Sequence, residues 1–207
     1  MEPTRVIVVR HGQTIWNIER RFQGHQDSPL TLKGIAQADA LAKRLSRPAF
    51  SALYSSDLGR AYRTAQIIAD ASGHTVTADP RLRERSLGVF QGLKSEEIKT
   101  AYPDDYKRYR NRELDYVVPA GESLRRQVER NMSCLEDLAR KHSGETIVVV
   151  THGGVLNVVF RQTLSIPFEA PRRFEFLNSS LNLFVFVDGY WTLQTWGDVA
   201  HLEAVVD

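Results

Sequence analysis

The chain alternates between short runs that are apolar at every position and longer stretches with a helical spacing of apolar residues. Segment 5–9, β-branched and apolar from Val6 onward, reads as a strand buried on both faces, and segment 146–150 repeats the pattern. Between them, residues 32–45 carry apolar side chains at Leu32, Ile35, Ala36, Ala38, Leu41, Ala42 and Leu45, which predicts a helix capped by Thr31. Residues 52–54 form a brief strand candidate, and residues 58–71 a second helix that Gly73 would close. A strand at 76–78, a long amphipathic helix over 122–142 and a helix over 155–164 follow. Near the end, 181–187 and 190–195 flank Asp188-Gly189, a strong hairpin signal.

Strand and helix in alternation, closed by a hairpin, predict a three-layer α/β/α sandwich around a mostly parallel sheet. Segment 81–120, rich in charge and in Tyr, reads as an insertion capping the ligand-bearing edge of a single domain over residues 1–207. The composition, 42% hydrophobic and 25% charged over 207 residues, is that of an ordinary globular chain. A net charge of +2 with scattered Lys and Arg gives no nucleic-acid footprint. No stretch approaches the roughly 20 apolar residues of a membrane-spanning helix, and Cys134 is the sole cysteine, so a cytoplasmic protein is expected.

The first buried run leads straight into Arg10-His11-Gly12, and the second into Thr151-His152-Gly153-Gly154. Both histidines therefore leave strands at their carboxyl ends, where open parallel sheets bind ligands. The following glycines would allow close backbone approach to a ligand, and the helix after Gly154 would turn free N–H groups toward an anion. One such histidine is more economically a cap on a buried carbonyl, but two with the same layout point to a shared site. The six histidines show no paired metal-ligand spacing, so neither a metal nor another cofactor is expected. Cys134 and Arg140 have the spacing of a cysteine phosphatase loop. They fall, however, in a predicted helix whose amides are already bonded and whose Glu136 and Asp137 would repel phosphate.

Arg10-His11-Gly12-Gln13-Thr14 with Trp16-Asn17 resembles the signature of the histidine phosphatase superfamily, which includes cofactor-dependent phosphoglycerate mutases and broad-specificity phosphatases. The likeness continues through Phe22-Gln23-Gly24, Leu30-Thr31 with Gly34 and Gln37, and Ser55 to Leu58 with Arg60, Arg63, Thr64 and Ala65. It resumes at Leu82-Arg83-Glu84, Gly88, Gln91-Gly92 and Gly121-Glu122-Ser123, and ends at Val150 to Gly154.

The resemblance implies a phosphomonoester hydrolase acting on small metabolites, in which His11 accepts the phosphoryl group while Arg10, Arg60 and His152 hold its oxygens. A phosphomonoester is a dianion, so attack requires such fixed positive charge. His11 would attack through an unprotonated nitrogen while the other donates to a fixed acceptor. Amides at the start of the helix that carries Arg60 would assist. Glu84 would protonate the leaving group and then activate water. Its neighbours Arg83 and Arg85 would favour the carboxylate, whereas burial beside a dianion would favour the acid. Gln23, Gly24 and Gly153 resemble positions offering donors to substrate, and Asn17 one touching the phosphate.

Mutases of the family carry Asn before the acid and Tyr shortly after; here those places hold Arg83 and Leu87, which favours a phosphatase. Residues 196–199 and 201–203 also resemble the phosphatase branch. Arg110 and Arg112 in the insertion could grip a substrate carboxylate, which keeps phosphoglycerate mutase chemistry and phosphoserine in view. A catalytically dead binding module is the further alternative, although both His11 and Glu84 are present. The sequence leaves oligomeric state open.

Overall fold

Strands β1 (Thr4–Arg10), β2 (Ala52–Ser55), β3 (Val76–Ala78), β4 (Thr146–Thr151), β5 (Leu181–Val187) and β6 (Tyr190–Asp198) form one sheet in the order β3-β2-β4-β1-β5-β6. They are seen in a computed structural model that describes residues 2–46, 49–203 and 205. The first four strands of that order run parallel, and β5 and β6 are antiparallel additions.

The uninterrupted apolar runs arise because β1 and β4 are covered on both faces. Val6, Val8, Ile147 and Val149 pack with Leu135, Leu138, Leu156 and Val159 of helices α6 (Leu124–Lys141) and α7 (Gly153–Thr163). Ile7, Val9, Val148 and Val150 face the other way, onto α2 (Leu32–Leu45) and α3 (Gly59–Ser72). Layers of helix, sheet and helix result, as the alternation predicts.

Caps set the helix ends. Thr31 Oγ1 accepts from Gly34 N at 2.9 Å to start α2, and Gly73, at φ +74°, donates to Ala69 O to stop α3. Three starts differ from expectation. Leu58 is the cap of α3. Helix α6 begins at Leu124, because the Ser123 side chain accepts from Arg126 N. Helix α7 begins two residues early at Gly153, with His152 itself as the extended cap residue. Strand β6 outruns the predicted end at 195, since pairing resumes at Leu181 and Asp198 beyond a register shift and Asn182 Oδ1 accepts from Gly197 N.

Helix α1 (Ile15–Glu19) was not predicted; it has no apolar period and is held by a Thr14–Asn17 capping box. Segment 81–120 contains α4 (Ser95–Ala101) and α5 (Pro103–Arg110), and folds over a small core of Leu87, Phe90, Ile98, Tyr116 and Val118. Among the described residues, no helix is long and apolar enough to cross a membrane.

Candidate active site

Because β1 and β4 are neighbours with Arg10 opposite Thr151, the residues that follow them emerge side by side. The rings of His11 and His152 lie 5.3 Å apart, edge to face. His11 is 3% exposed, and its Nδ1 lies 2.8 Å from Gly12 O. Only N–H can satisfy a carbonyl, so Nδ1 carries the proton and Nε2 presents a lone pair. Burial, then the Arg60 and Arg10 charges, hold the imidazole pKa well below its ordinary value of 6.5, so the ring is neutral at neutral pH. His152 is fully buried and depressed for the same reasons, burial first and Arg60 next. Its Nε2 meets Ser56 Oγ at 2.8 Å, and its buried Nδ1 has no partner among the described residues. Ser56 Oγ also accepts from Leu58 N at 3.3 Å.

Two guanidiniums flank this pair. Arg10 donates through Nη1 to Phe176 O, while its buried Nε has no partner among the described residues. Burial lowers its pKa to about 10, with Glu84 opposing, so it stays cationic at neutral pH. Arg60, 2% exposed, reaches Gly24 O at 2.8 Å, Gln26 O at 3.0 Å and the Asp27 carboxylate at 3.0 Å, again with a buried, unpartnered Nε. The Asp27 carboxylate also takes Arg60 N at 3.2 Å. That amide at the start of α3 therefore meets a side chain of the protein, contrary to the expectation that it assists a bound phosphate.

The start of α7 behaves similarly: Gly154 N donates to Glu84 Oε2 at 2.8 Å. Its dipole end serves the carboxylate first. Glu84 Oε1 accepts from Arg85 N at 2.8 Å and Gln127 Nε2 at 3.1 Å. The flanking guanidiniums do not bond to this carboxylate. Arg83 binds Asp57, with Nε 2.7 Å from Oδ1, and Arg85 turns to the carbonyls of Glu122 and Tyr116. Gly12 and Gly154 are required by protein neighbours: a Cβ on Gly12 would lie 2.4 Å from Gly34 O, and one on Gly154 1.9 Å from Glu84 Oε1.

A bare imidazole nitrogen, buried cations and a carboxylate in one place agree with the profile of the histidine phosphatase superfamily (branch 1), which matches residues 6–199. The chain belongs to this superfamily. It is 45% identical over 202 residues to "Phosphoglycerate mutase-like protein 4" of Arabidopsis thaliana, covering 96% of this chain and 86% of that one. It is 39% identical over 209 residues to the "Metal-independent phosphoserine phosphatase" of the same plant, covering 99% and 85%. The solved structure of Bacillus stearothermophilus YhfR superposes with a TM-score of 0.90 at 34% identity, over 97% of this chain and 100% of that one.

In this histidine phosphatase, Arg10, His11, Asn17, Gln23, Gly24, Arg60, Glu84 and Gly153 line a single cavity of about 910 Å³. His152 is not on the wall; it lies behind, against the His11 ring. Asn17 Oδ1 is occupied by Thr14 N and Asn178 Nδ2, so only its amide nitrogen is left for a ligand. Gln23 Oε1 is buried without a partner among the described residues. Arg10, Arg21, Arg60, Arg85, Arg110, Arg112 and Arg172 stand on the wall against two carboxylates, Glu84 and Glu175, which makes the cavity a trap for anions. Arg112 is less available than expected, because its Nη1 already donates to Phe168 O and Ala170 O.

Gln127, Asn157, Arg172 and Phe176 also line the cavity and were not foreseen. Gln127 had a signal: it is a polar residue on the buried stripe of α6. Cys134 is buried in α6, 3.4 Å from Asp79 Oδ2, and burial pushes its thiol up to about 12, so it supplies no thiolate.

Proposed function

We propose that this histidine phosphatase hydrolyses small phosphomonoesters by passing the phosphoryl group through His11 Nε2. The observation that carries the reading is a neutral His11 whose Nε2 has no partner among the described residues, set beside two buried N–H donors that also lack one there, Arg10 Nε and Arg60 Nε. Buried polar groups are normally satisfied, and the oxygens of a phosphoryl group in transfer would satisfy these two guanidinium N–H groups. His11 Nε2 attacks phosphorus, the P–O bond to the leaving group breaks with its electron pair on oxygen, and Glu84 supplies the proton. Water then attacks the phosphohistidine, giving a proton to Glu84, and the P–N electron pair returns to His11.

The substrate we favour carries a second anionic group, because Arg110 and Arg172 on the cavity wall meet no carboxylate among the described residues; Arg172 lies only over the Phe176 ring. The name of the Arabidopsis phosphoserine phosphatase supports this choice. The 207 residues would work as one domain, with 81–120 as the cap over the cavity, in the cytoplasm.

The test is phosphate release in EDTA from O-phosphoserine, 3-phosphoglycerate and p-nitrophenyl phosphate. Turnover of all three to free phosphate is expected, with KM for O-phosphoserine raised about tenfold by Arg172→Ala and that for p-nitrophenyl phosphate unchanged. Conversion of 3-phosphoglycerate to 2-phosphoglycerate would mark a mutase instead, and no phosphate from any of them a binding module.

A further inference from the structure

One face of α6 holds the acid loop. Gln127, Arg130 and Asn131 stand at i, i+3 and i+4, the spacing that brings side chains together on a helix. Arg130 Nη1 donates to the carbonyls of Arg81 and Arg83 at 2.8 and 2.9 Å, and Asn131 Nδ2 to Arg81 O at 2.7 Å. Arg130 is itself held by Glu122 at 2.7 Å. The backbone leading to Glu84 is thus fastened to the helix. Gln127, 2% exposed, passes the backbone and grips the carboxylate itself, at Oε1.

The two oxygens of Glu84 are then unlike. Oε1 receives two donors, Gln127 Nε2 and Arg85 N, which fill its two acceptor positions; Oε2 receives one, Gly154 N. A proton on Oε1 would confront two N–H groups, whereas Oε2 keeps one position open. We infer that Gln127 is a positioning residue which fixes the Glu84 carboxyl group so that Oε2 alone carries the proton exchanged with the leaving group and with water. This rests on the acid–base reading of Glu84 above. In the first step the Oε2–H bond breaks as the leaving oxygen takes the proton. In the second, Oε2 takes a proton from the attacking water, while Oε1 stays bonded to Gln127 and Arg85 throughout.

Leaving groups separate this role from a merely structural one. Nitrophenolate departs without a proton, whereas a serine alkoxide needs one. In Gln127→Met, which keeps the volume and removes the donor, kcat/KM for O-phosphoserine is expected to fall about ten- to a hundredfold. That for p-nitrophenyl phosphate stays within about twofold, which also shows that the pocket is folded. If the methionine variant melts early, Gln127→Leu is read the same way. An equal loss on both substrates, or none on either, overturns the inference. The variant Glu84→Gln distinguishes the two levels: unchanged O-phosphoserine turnover there removes the acid–base reading itself. A slowed Glu84→Gln beside an unaffected Gln127→Met removes only the role of Gln127.

Discussion

An imidazole attacks phosphorus only through a nitrogen that carries no proton, and at His11 one hydrogen bond settles which nitrogen that is. Nδ1 donates to Gly12 O, a backbone acceptor one residue away that cannot rotate off. Burial and the two neighbouring arginines keep the ring from taking a second proton. The same two side chains that would bind phosphate therefore also keep the nucleophile bare. Arg60 in turn owes its position to Asp27 and to the carbonyls of Gly24 and Gln26, so its charge is aimed from the 24–27 loop. Glu84 follows the same rule: its geometry comes from three N–H donors, and its cationic sequence neighbours are engaged elsewhere.

At the scale of elements, the turn after β1 is locked onto two helices. Gly12 N donates to Thr64 Oγ1 of α3, and Gln13 N to Gln37 Oε1 of α2. Gly12 and Gly34 pass so closely that a Cβ on either would strike backbone, at 2.4 and 2.0 Å. Gly12→Ala is expected to cost about 1–3 kcal/mol through this clash with atoms that cannot rotate away. A urea midpoint equal to that of the parent would contradict the contact. The strands that deliver His11 and His152 were legible in the chain because continuous β-branched runs ending in polar residues have few other uses. Helix α2 was legible to its last residue because Thr31 and a clean apolar period agree. Asp27, Gln127 and Arg172 were not: they come from a loop, the inner face of a helix and the 165–180 connection. The contact of Asp27 with Arg60, and the place of Gln127 and Arg172 on the cavity wall, depend on crossings that no local period encodes. At Gly12 and Gly154 what approaches is the protein's own backbone and Glu84.

Across the whole molecule, the site is a strongly positive cavity built on two neutral, buried histidines, and its stability should therefore depend on pH. Unfolded histidine titrates near 6.5; in the fold His11 and His152 titrate well below that, chiefly through burial. The unfolded chain thus binds more protons below that pH, so stability is lost as pH falls, by up to about 1.4 kcal/mol per pH unit for each ring. His25 and His201, also lowered, add in the same direction. Urea midpoints should be clearly lower at pH 5.5 than at pH 7.5, and equal or higher midpoints at pH 5.5 would contradict two neutral rings. The most direct measurement of the account's central claim is trapping of the phosphorylated enzyme. Turnover of radiolabelled phosphomonoester, quenched in base, should leave acid-labile, base-stable label on His11 and none on the His11→Ala variant. No label on His11 during turnover, or parental turnover by His11→Ala, would contradict it.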